Sequence, residues 1–207
     1  VAIFHYYAGE WAAAKEIIGR YLDWTGRGRW FPLWINGMMS IAKGNDRTAD
    51  AMAAAMFQED PSTALLLQAT AADSRGDKPL AQTLVGEALD MLENQPLFGT
   101  HTAHFLPLAQ SDARLARLAA RTPDADRAKP ALIAGCEGRA DEAADLLAAA
   151  GLLPLAARMR LIAAEAARAG DRPTVAAAQG EQALAFFTSV GATRYADTAA
   201  ELLQAVH

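Results

Sequence analysis

A glycine followed at once by a helix-starting residue returns along this chain at near-regular intervals, and few folds accommodate that. The best-preserved copy is Arg75-Gly76-Asp77-Lys78-Pro79: apolar residues fill Ala64 to Ala72, the glycine breaks the run, the aspartate restarts it, and a second apolar face follows from Leu80 to Leu92. That pattern encodes two helices joined by a tight turn. Nearly the same joint recurs as Ala169-Gly170-Asp171-Arg172-Pro173, and in looser form at Gly9, Gly44 and Gly138. With these glycines as markers the separations are 35, 32, 62 and 32 residues. The 62 is two periods, and Gln110-Ser111-Asp112 stands where the missing joint is expected, with Asp112 able to start a helix.

Paired helices pack closely only where small side chains let their backbones approach. Seven residues before each marker stand Ala2, Gly37, Ala69, Ala131 and Ala163, and five after stand Ala14, Ala49, Ala81, Ala143 and Val175. Nine of these ten are Gly or Ala, so both positions are expected at helix crossings, where a Leu or Phe would overpack the contact at a cost of about 1–3 kcal/mol. Asp60, Asp77 and Asp171 are expected to cap helices, each with a proline in the first turn.

A two-helix unit with a period near 34 residues resembles the tetratricopeptide repeat. The resemblance implies an all-α fold, a TPR-like α–α superhelix of about six antiparallel hairpins in one domain over 1–207. Regular hairpins are expected over 1–94 and 131–192, and a capping helix over 193–207. Over 95–130, Pro96, Gly99, Pro107, Pro123 and Pro130 predict shortened helices and irregular packing or a hinge. Val1 to Tyr7 is short for a complete first helix, so the sequence is expected to be a piece of a longer protein. A partner helix is expected over Trp11 to Trp24, and a loop over Thr25 to Arg29.

The stretch Ala183-Leu184-Ala185-Phe186-Phe187-Thr188-Ser189-Val190-Gly191-Ala192-Thr193-Arg194-Tyr195, with Ala199-Ala200-Glu201-Leu202-Leu203 after it, resembles the closing segment of large bacterial signalling ATPases of the LuxR-type and cyclase-linked kind. The likeness implies a non-catalytic protein–protein interaction or effector-sensing module of a signalling or transcriptional regulator, in the cytoplasm. Its partners would be a protein, a peptide or neighbouring domains of the same polypeptide, or else a small apolar effector. A free-standing TPR-like adaptor for an apolar helix or peptide is the alternative. An all-helical enzyme is a third, and the sequence holds no Walker motif to favour it.

In the resembling family the first helix of each hairpin lines a concave groove. Carried onto this chain, the groove positions are Ile3, Tyr6, Tyr7, Phe31, Trp34, Met38, Ile41 and Leu66, an apolar and aromatic surface. Farther along, Thr63, Thr70, Asp73 and Ser74 take such places, and polarity is expected to rise. The competing expectation is that the tryptophans are core, or pack against a further repeat.

Composition narrows the chemistry. With 52% hydrophobic and 21% charged residues the chain is globular, and a net charge of −5 speaks against direct nucleic-acid binding. Arg114, Arg117 and Arg121 share a helical face, but Asp112, Asp124 and Asp126 surround them, which reads as a solvated surface. The longest apolar run, Leu146 to Ala157, is broken by Gly151 and Pro154 and falls far short of the ~20 residues a membrane span needs. No cofactor or metal site is expected: His101 and His104 stand three apart without an acidic or cysteine partner at ligand spacing, and read as a solvent-facing or partly packed pair. His5 and His207 share no frame with them, and the single cysteine, Cys136, reads as a small buried hydrophobe.

Overall fold

The computed structural model describes residues 1–22, 28–93, 95 and 99–205. Every regular element among them is an α-helix. Where one continuous array is expected, the chain divides into two compact units, Val1–Pro96 and Leu97–His207. The division falls where proline and glycine begin to interrupt the helical pattern.

The first unit holds α1 (Ala2–Tyr7), α2 (Trp11–Gly19), α3 (Trp30–Ala42), α4 (Asp46–Met56), α5 (Pro61–Ser74) and α6 (Lys78–Leu92). They pair in sequence as α1 with α2, α3 with α4 and α5 with α6, while α3 also lies against α5. The second unit holds α7 (Gly99–Ala103), α8 (Leu106–Ala109), α9 (Ala113–Arg121), α10 (Lys129–Cys136), α11 (Ala140–Ala149), α12 (Leu153–Ala169), α13 (Pro173–Ser189) and α14 (Thr193–Gln204). From α10 onward each helix packs on the next, and α8 lies against both α10 and α12. The helix expected to reach Trp24 closes at Gly19. Trp24 and the loop residues Thr25, Gly26 and Arg27 lie outside the described residues, as does His207.

One joint builds both units. Among the described residues, eight between helices have positive φ; besides Gly28, ahead of α3, they are the seven joint residues Gly9, Gly44, Gly76, Gly138, Gly151, Asp171 and Gly191. At each of these seven, the N–H of the following residue donates to the carbonyl five residues before it, from Glu10 to His5, Asn45 to Ser40, Asp77 to Ala72, Arg139 to Ala134, Leu152 to Leu147, Arg172 to Ala167 and Ala192 to Phe187, over 2.8–3.0 Å. This is a Schellman closure, which satisfies a carbonyl the ended helix leaves open. The donating residue is at the same time the N-cap of the next helix. Helix ends and helix starts are thus one two-residue device. At Gly44 and Gly76 the cap is completed by a side chain, Asn45 accepting from the Thr48 N–H and Asp77 from the Leu80 N–H.

The joint near residue 170 corrects the expected register by one. Gly170 keeps ordinary helical φ, and Asp171 takes the left-handed position. Asp171 is therefore not a cap; Arg172 occupies that place, with Pro173 opening α13. Counted from Asp171, the flanking small residues become Ala164 and Ala176, both fully buried, whereas Val175 is exposed. Ala14, Ala49, Ala81, Ala143 and Ala176 then hold one equivalent position, and none is more than 3% exposed. Aspartate in the left-handed region costs roughly 1 kcal/mol, against about 1–3 kcal/mol for a β-branched side chain forced into a crossing. The smaller cost is the one taken.

Between α7 and α10 the joint changes. Asp112 starts α9 as expected, accepting from the Arg114 N–H at 2.8 Å, but from extended backbone. Thr122 turns extended ahead of Pro123, which bars α geometry from the residue before it, and α9 ends there. Asp126 ties the segment together: its carboxylate accepts from the Gly99 N–H at 2.7 Å and from the Ala128 N–H at 2.9 Å. Aspartate also bonds Thr63 at the start of α5, where Asp60 caps as expected.

Three substitutions separate backbone strain from packing. A Cβ at Gly76 meets open space, so Gly76→Ala should cost only the left-handed penalty, about 1 kcal/mol. A Cβ at Gly37 would lie 2.4 Å from Leu67 Cδ2, so Gly37→Ala should cost about 1–3 kcal/mol. Asp171→Gly should be neutral or stabilising by up to about 1 kcal/mol. Urea-denaturation midpoints of the three proteins check this order.

Candidate binding surface

The aromatic residues of the first unit gather around Tyr6. Its ring stacks on Trp11 at 5.6 Å and meets Trp34 edge-on at 5.9 Å, and Tyr7 lies 5.3 Å away. Trp11 Nε1 donates to the Tyr6 carbonyl at 3.1 Å, which fixes α2 against the end of α1. Phe31 lies 6.3 Å from Trp34 and meets Trp30 edge-on at 5.3 Å. Aromatic pairs at such distances add about 0.5–1.5 kcal/mol each beyond area burial. Burial, and then the neighbouring Tyr6, push the Tyr7 phenol well above its ordinary value, so it stays neutral.

Of the eight expected groove residues, six lie in the interior. Tyr6, Tyr7, Trp34, Met38, Ile41 and Leu66 are all buried, the last two completely, and only Ile3 and Phe31 are partly exposed. A ligand reaching Trp34 or Leu66 would have to displace their neighbours. The polar positions turn inward as well: Thr63 and Thr70 are fully buried, Thr63 Oγ1 donating to Asp60 and Thr70 Oγ1 to the Leu66 carbonyl. What the first unit shows to solvent instead is Phe4, 74% exposed, with Tyr21, Phe57, Leu80 and Met91. Phe4 stands five residues before its joint, the place held by the buried Met39 and Ala71 in the next two hairpins. That equivalence is legible in the spacing once the joints are aligned.

In the second unit a buried polar cluster has no counterpart in the expectations. His104 is fully buried rather than solvent-facing or partly packed, and Arg158 of α12 is also buried. Burial, then the charges of His101 and Arg158, hold the His104 imidazole well below its ordinary range. The Arg158 guanidinium lies 5.6 Å from the centre of the Tyr195 ring, a cation–π contact. The partly exposed His101 meets Phe105 edge-on at 6.0 Å. The available signal was a pair of arginines, Arg158 and Arg160, inside the otherwise apolar Leu152–Ala164 run. Cys136 is half-buried, and its thiol is pushed up to about 11 by burial and by Glu137, which leaves it neutral. On α9, Arg114 folds back onto Asp112 at 2.7 Å while Arg117 and Arg121 are exposed.

Among the described residues no group of three or more His, Cys, Asp or Glu could hold a metal ion, and no helix is long and apolar enough to cross a membrane. Compared with known proteins, the chain matches no family model, no curated protein and no solved structure.

Trp34 and Phe4 make opposite predictions. Trp34→Ala should destabilise by about 3–5 kcal/mol, as for a core aromatic. Phe4→Ala should change stability by no more than about 0.5 kcal/mol, as at an exposed site. Chemical denaturation followed by the far-ultraviolet helical signal measures both.

Proposed function

We propose that this chain is a non-catalytic interaction or effector-sensing module of TPR-like build, of the kind that serves bacterial signalling and transcriptional regulators. The observation that carries the reading is the repeated joint: helix, left-handed residue, capping residue, helix, with a buried alanine five residues after Gly9, Gly44, Gly76, Gly138 and Asp171. Such hairpins supply rigid helical surfaces, and function on such scaffolds resides in what the outer helical faces touch. The segment that resembles the end of signalling ATPases spans the last turns of α13, the Gly191 joint and the start of α14, where Phe187 packs 5.1 Å from Tyr195. In a regulator, catalysis would belong to other domains.

The exposed Phe4 favours a second reading, a free-standing adaptor that takes an apolar helix or peptide. In either reading the contact residues are the ones solvent can reach: Ile3 and Phe31 of the original groove, together with Phe4.

Display selection of helical peptides on the immobilised protein tests this. Peptides with an apolar stripe should be enriched, and glutamate at Ile3, Phe4 or Phe31 should weaken their binding at least about tenfold, as at an interface hot spot. Enrichment of no peptide, or binding that all three variants leave unchanged, would sink the reading. Circular dichroism of the variants keeps a folding defect from being counted as lost binding.

A further inference from the structure

We draw no further inference here: the strongest candidate, the apolar surface patch that Leu80 and Met91 expose along α6, has nothing in the structure to show what covers it.

Discussion

A helix that stops inside a protein leaves carbonyls without donors, and the next helix begins with amides that lack acceptors. This chain answers both needs with two residues. The left-handed residue swings the backbone so that the following N–H reaches the carbonyl five residues back, and that same following residue caps the next helix. No length is spent on connection. A hairpin made this way holds its two helices so close that the residues facing each other across it must be small. The buried alanines at residues 14, 49, 81, 143 and 176 are the packing consequence of the joint.

The joint also shows which constraint yields when two conflict. At Gly170-Asp171 the residue best suited to the left-handed region precedes the one that adopts it. Had Gly170 turned, Val175 would have entered the crossing in place of Ala176. Backbone preference gave way to packing because a strained aspartate at one exposed turn is a smaller and more local cost than a β-branched side chain between two helices. Sequence spacing therefore locates such joints to within one residue, and the core decides the last step.

That ordering explains what the sequence made legible. Helix existence and type were readable outside 95–130, because glycine, the aspartate caps and the apolar runs act locally. Faces were harder. In α5, Ser62 through Leu67 are buried one after another, and α3 buries Leu33, Trp34 and Ile35 in succession. A helix covered on every side has no free stripe to line a groove, so carrying groove positions from a repeat family onto α1, α3 and α5 selected mainly core residues. Phe4, five residues before its joint, is not one of the carried-over positions, and its register equivalents Met39 and Ala71 are buried.

The same logic bears on charge. Sequence patterns treat an isolated His or Arg as a surface residue, because few single positions repay the desolvation of a charged group. His104 and Arg158 escape that rule by different routes. Histidine can enter a core by giving up its proton. Arginine cannot, and Arg158 keeps its charge against the face of Tyr195. Once Arg158 is in place, a second positive charge beside it is disfavoured further, so the arginine helps to keep the histidine neutral. The first unit, whose centre is Tyr6, Trp11 and Trp34, has aromatic contacts where the second has this pair. Hairpins built from one joint can thus enclose cores of opposite character, because the joint dictates backbone and crossing residues and leaves the remaining interior positions to chemistry.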